Sequence, residues 1–110
     1  LNIDHQIVAR AVLTACRPIN DQSVKEILGF EVLSSTEWNF STSATFAPNY
    51  FVDITDTFIQ KINALKSYET EMRDFPHPRS TQAVGALSTL RGATVGKDKA
   101  EGFLVIRMIA

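Results

Sequence analysis

The chain has 110 residues, of which 45% are hydrophobic and 21% charged, with 11 basic residues against 12 acidic ones. That length sets a single domain at the small end of the usual range, and the balance is that of an ordinary globular chain. Near-neutral charge argues against a basic face for nucleic acid, and no apolar run reaches the ~20 residues that span a bilayer.

Leu1 to His5 has neither the basic segment nor the apolar core of a signal peptide. The first residue is not methionine, which leads to the expectation of a fragment or a processed piece. A single cysteine, Cys16, cannot build a disulfide framework and points to a reducing cytoplasm.

In chain order, Asp4 is suited to cap a helix, and Ile7, Val8, Ala11, Val12 and Ala15 recur at helical spacing behind it. Pro18 closes that helix, and Asn20-Asp21 makes a loop. Cys16 falls on the apolar face and reads as inert core. Lys25 to Leu33 reads as a strand with Gly29 as its weak point or bulge. The polar stretch from Ser34 to Asn49 contains Trp38, Phe40 and Phe46, aromatics that favour an ordered loop. Tyr50 to Val52 reads as a short strand closed by Asp53.

A second helix follows, capped by Thr55 or Asp56, with Phe58, Ile62, Leu65, Tyr68 and Met72 on one face. Asp74-Phe75-Pro76-His77-Pro78 ends it. A third helix opens near Pro78 or Ser80, buries Ala83, Val84, Leu87 and Leu90, and stops at Gly92. Gly96 to Ala100 makes a turn, and Phe103 to Ile109 is a strand apolar enough to be covered on both faces. There is no internal repeat and no linker. Alternating helices and strands predict an α/β fold with a largely parallel sheet.

Few residues offer chemistry. His5 stands where a helix N-terminus gathers positive dipole and free N–H groups, and an imidazole there is either a zinc ligand or a surface or capping residue. Zinc needs at least three converging protein groups, and no local HExxH, CxxC or HxH supplies them. Arg79 and Ser80, after Pro78, could hold an anion beside helix N–H groups, or form a rigid turn with a capping serine and a solvated arginine. Trp38 with Glu37 suits a sugar pocket, and a lone tryptophan also suits plain packing. Arg91-Gly92 reads as a basic residue near a helix end and its glycine cap.

Seven pieces in order carry a resemblance. They are Asn-Ile-Asp-His-x-x-Val at 2–8, Ala-Val-Leu-Thr-Ala-Cys-Arg-Pro at 11–18, Ser-Ser-Thr-Glu-Trp at 34–38 and Pro-Asn-Tyr-Phe-Val-Asp-Ile at 48–54. Lys61 with Ala64-Leu65, His-Pro-Arg-Ser at 77–80, and Arg91-Gly92 followed by Ala-Glu-Gly-Phe at 100–103 complete the set. Together they resemble the second half of the LmbE-like, or PIG-L, deacetylase family, over essentially the whole chain.

The resemblance implies a Rossmann-like layered fold with a mainly parallel sheet, here its C-terminal part. It also implies zinc-dependent removal of an acetyl group from an N-acetylated amino sugar or glycan. In the family a His-Pro-Asp-Asp-Glu motif supplies a histidine and an aspartate to zinc, and a later histidine completes the set. His5 matches that later histidine, and Asp4 would support it. The motif's other aspartate acts as base on a zinc-bound water whose pKa falls toward ~7. This chain contains no His-Pro-Asp-Asp-Glu.

Many members also carry a histidine three residues before the metal ligand, and Asn2 stands at that position. Its amide can donate a hydrogen bond to an oxyanion but cannot act as an acid. Arg79, Ser80 and Trp38 are the candidates for substrate contact.

The expectation is therefore residues 1–110 as one domain or as the C-terminal half of a zinc-dependent N-deacetylase. Such a half would be inactive alone, cytoplasmic, without nucleic acid or a membrane span, and paired with the missing half or with itself. The rival expectation is a truncated, non-catalytic family member that works as a binding or oligomerisation module.

Overall fold

The structure is a computed structural model that describes residues 3–20, 24–40 and 45–110. Helix α1 spans Ile3–Ala15, strand β1 Glu26–Phe30 and strand β2 Tyr50–Asp53. A 3-10 turn at Thr55–Thr57 leads into helix α2, Phe58–Lys66, and helix α3 runs Thr81–Thr94 before strand β3, Ala100–Met108.

The three strands form one sheet in the order β1-β3-β2, and both outer strands run antiparallel to β3. This corrects the expected Rossmann-like, mainly parallel sheet. The element order is the physical reason. A parallel neighbour needs one crossover helix between two strands. Here two helices in series separate β2 from β3, so the chain crosses the molecule twice and β3 re-enters from the opposite end.

Register within the sheet places Gly29 opposite Leu104 and Phe30 opposite Phe103. Ile27 faces Arg107 while Leu28 faces Val105, which leaves Ile106 as the extra residue of a bulge. The expected irregularity at Gly29 thus falls one step away and on the opposing strand. β1 is also shorter than the sequence suggests, because after Phe30 the chain turns away from β3.

Helix α2 ends at Lys66, well before the Asp74 to Pro78 stop. Ser67 and Thr70 are poor helix formers whose side chains compete for backbone groups. Tyr68 and Met72 continue as turns, with the Glu71 and Met72 amides both donating to the Tyr68 carbonyl. The expected cap at Thr55 or Asp56 is supplied instead by Asp53, whose Oδ1 accepts from the Thr55 amide at 3.0 Å and its hydroxyl at 2.6 Å.

Helix α3 opens where expected. Ser80 has extended backbone and its hydroxyl accepts from the Ala83 amide at 3.1 Å, which satisfies one of the free donors of the first turn. The helix continues through Gly92 to Thr94, and the left-handed residue is Gly96, with φ of 71°. Its buried row is Val84, Ser88 and Gly92, which sets α3 against β3. The core beneath is small: among the described residues the buried apolar side chains are Ile54, Val84 and Ala100. Cys16 is a free, half-buried thiol just past α1. No helix among the described residues is long and apolar enough to cross a membrane.

Candidate functional site

β1 leaves the sheet after the Phe30–Phe103 pair, whereas β3 extends three residues further back, to Ala100. The gap between the diverging strands is a cleft of about 540 Å³. Residues 31–33 form one wall, Ala100 to Gly102 lie at its base, and α2 and α3 contribute Lys61, Leu65, Val84, Leu87 and Arg91. By the alternation of an antiparallel ladder, the backbone groups of Ala100 and Gly102 point away from β2 and toward this gap. A methyl group on Gly102 would lie 2.9 Å from Pro48 and 3.2 Å from the Arg91 side chain. Glycine therefore lets Arg91 reach across the strand.

Three ion pairs line the cleft. Arg91 meets Glu31 in a two-pronged contact, both N–H···O distances being 2.8 Å. Their side chains are 19% and 13% exposed, so the pair is shielded from water. The Glu31 carboxylate holds the Arg91 guanidinium above its ordinary range, against burial, which pulls the other way. Arg91 also lies over the Phe46 ring, 5.8 Å from its centre. Lys61 pairs with Glu101, joining α2 to β3. Arg79 pairs with the exposed Glu71 and donates from Nε to the Ser34 hydroxyl at 2.7 Å.

Ser34 is buried and has φ of 68°, left-handed backbone rare outside glycine. A carboxylate oxygen of Glu37 accepts from its amide, and the Val32 amide donates to the Thr36 hydroxyl at 2.8 Å. These local bonds hold the turn in place. Arg79 is fixed from its own side as well, since its amide donates to His77 Nδ1 at 3.0 Å.

The residues singled out in the sequence fall into two groups. Arg79 lines the cleft, and Ser80 lies directly behind it with its hydroxyl engaged in capping α3. Trp38 packs edge-on against His77, with ring centres 5.4 Å apart, and braces the Arg79 turn from outside the cleft. His5 and Asp4 stand in the first turn of α1, which contributes nothing to the cleft's described lining. Asn2 lies outside the described residues.

Among the described residues no three His, Cys, Asp or Glu side chains converge to hold a metal ion. His5 is one exposed imidazole, and zinc does not fit these residues by themselves. Sequence reasoning missed Glu31 and Glu71, because each is defined by a partner 60 or 8 residues away and no local motif marks it. No family model matches the chain, and no curated protein matches it.

Proposed function

We propose that this chain is the sugar-binding part of a zinc-dependent N-deacetylase of the LmbE-like type, acting on an N-acetylated amino sugar or glycan in the cytoplasm. One observation carries the reading. Lys61, Arg79, Arg91 and Glu101 come from three separate pieces of the resemblance, and all four side chains meet in one cleft.

The chemistry of the cleft suits a neutral, hydroxyl-rich ligand. Three carboxylates balance three cations there, so the walls offer donors and acceptors in equal supply and no net charge. The apolar floor accommodates an acetyl methyl group, and the aromatic rings of Phe30 and Tyr68, both well exposed, flank it for contact with a sugar ring face. His5 would be this chain's donor to zinc. The further donors would come from another polypeptide stretch, and the partner is either that stretch or a second copy of the chain.

The test is binding of N-acetylglucosamine to the intact chain, followed by amide NMR shifts. The expected result is millimolar affinity, about −4 kcal/mol, with shifts at Gly102, Phe103 and residues 31–33. It should weaken at least ~10-fold in Arg79→Ala. Shifts scattered over the surface, or none at the cleft, would sink the reading. The single imidazole on α1 favours a second reading, a sugar-binding module without hydrolysis. Acetate release by the protein in its longest natural form separates the two.

A further inference from the structure

His77 and Trp38 stand outside the cleft, yet both bear on Arg79, which lines it. The Arg79 amide donates to His77 Nδ1 at 3.0 Å, and the Arg79 carbonyl accepts from the Arg73 amide at 3.1 Å. Two backbone bonds close the turn around the histidine. Its amide donates to the Asp74 carbonyl, and its carbonyl accepts from the Ser80 amide, each at 3.0 Å. Trp38 sets the plane of the imidazole, at 78° to its own and with ring centres 5.4 Å apart. The histidine is half-buried, so packing as well as the hydrogen bond holds the ring.

We infer that His77 is a positioning residue that makes ligand binding in the cleft sensitive to pH, because it holds Arg79 only while its ring is neutral. The proposal rests on the reading above in one respect, that Arg79 meets the sugar. An imidazole that accepts at Nδ1 carries its proton on Nε2. A second proton turns Nδ1 into a donor, which then faces the Arg79 N–H, itself a donor. Turning the ring over brings a C–H to the same place. Either way the Arg79 amide loses its acceptor, and a new positive charge stands two residues from the guanidinium. Histidine is the side chain whose charge ordinarily changes between about pH 5 and 8.

The surrounding charges do not reverse that sign. On the two segments around the ring they are Glu37, beside Trp38, and Glu71, Arg73, Asp74 and Arg79. Glu37 accepts from the Ser34 amide, and Glu71 pairs with the Arg79 guanidinium. Arg73 and Asp74 are exposed, and the first turn of α3 adds no acidic group. A carboxylate near the ring moves the midpoint of its titration, but it cannot give Nδ1 back its lone pair. Acid therefore frees the Arg79 backbone, and with it the guanidinium that spans Ser34 and Glu71.

Two readouts on the intact chain test this between about pH 5 and 8. Without sugar, NMR follows the His77 ring and the Arg79 amide, and both should shift with one common midpoint. With N-acetylglucosamine, affinity at the acid end should be about 3–10-fold weaker than at the basic end, the worth of one hydrogen bond. His77→Asn keeps a side-chain acceptor for the amide two residues on and takes up no proton in this range. It should rescue binding at the acid end and flatten the profile, whereas His77→Ala should bind weakly throughout. The other histidine, His5, is present in both variants and lies on α1, so a slope that survives in His77→Asn overturns the proposal. An Arg79 amide that stays still while the ring titrates does the same. A flat profile in the native chain refutes the switch and leaves the sugar reading standing. A common midpoint in a chain that binds no sugar refutes the sugar reading, while the hold of His77 on Arg79 stands.

Discussion

Helices α1 and α3 are nearly equal in length, 13 and 14 residues, yet one buries nothing and the other anchors the fold. Their sequences rank them the other way. The α1 face is built from isoleucine, valine and alanine, whereas the buried row of α3 is Val84, Ser88 and Gly92. What docks α3 against β3, where Ala100 and Gly102 are buried, is its row of small side chains, with a hydroxyl cap at its start and one ion pair, Arg91–Glu31, on its edge. Close approach allows dense packing, and the larger hydrophobic payload of α1 has no matching surface within the described chain. Burial here follows fit before hydrophobicity.

The largest expected effect breaks that fit. A Cβ at Gly92 would press into the Lys97 carbonyl oxygen and lie 2.9 Å from both the Asp98 carbonyl carbon and the Lys99 amide nitrogen. These are backbone atoms of the turn that feeds β3, and they cannot rotate aside. The Lys97 amide also donates to the Gly92 carbonyl at 2.9 Å, so the same contact holds the turn. Gly92→Ala should cost about 2–3 kcal/mol despite the better helix propensity of alanine. Urea denaturation gives the value, and an unchanged midpoint would contradict the close packing.

Next in size is the Arg91–Glu31 pair, which ties α3 to the chain where β1 leaves the sheet. Arg91→Met keeps the aliphatic stem over Gly102 and Phe46 but leaves the Glu31 carboxylate shielded and without its partner. With the exposure of 19% and 13% taken into account, the expected loss is about 2 kcal/mol. Adding Glu31→Gln should recover part of it, because the stranded charge is then removed. A double-mutant cycle measures this coupling, and strictly additive losses would show that the pair is only a surface contact.

Much of this was legible in the residues. The Ser80 cap, the two helices around Leu65 and Val84, and the strands at Tyr50 and Leu104 all follow from spacing and capping chemistry. Strand direction did not, because it depends on how many crossings separate β2 from β3, and Ser67 and Thr70 shortened α2 without erasing its apolar spacing. The cleft was half legible. Arg79 was marked by its place beside a helix start, but Glu31 becomes part of the site only through a partner 60 residues on. Exposure of α1 was not legible, since an amphipathic stripe states that a face seeks cover and not whether the chain provides it.

The smallest expected effect concerns Asp53, which closes β2 and starts the turn into α2. Its carboxyl is held below the ordinary 3.8, first by the Thr55 hydroxyl and then by the Thr55 amide, with Lys97 adding less. A lowered folded-state value means that stability is present above the ordinary carboxylate range and is lost as pH falls through the folded value. Lys97 Nζ stands 3.3 Å from Oδ2 with both side chains about half in water, so the ion pair contributes little and fades in salt. Asp53→Asn should therefore be slightly less stable than the native chain at pH 7 and converge with it as the pH falls through and below the folded-state value, where both side chains are neutral. Raising salt should remove only the Lys97 share and leave the Thr55 hydrogen bonds. If the two proteins instead differ equally at pH 2 and pH 7, the cap acts through shape alone and charge on Asp53 has no part in closing the strand.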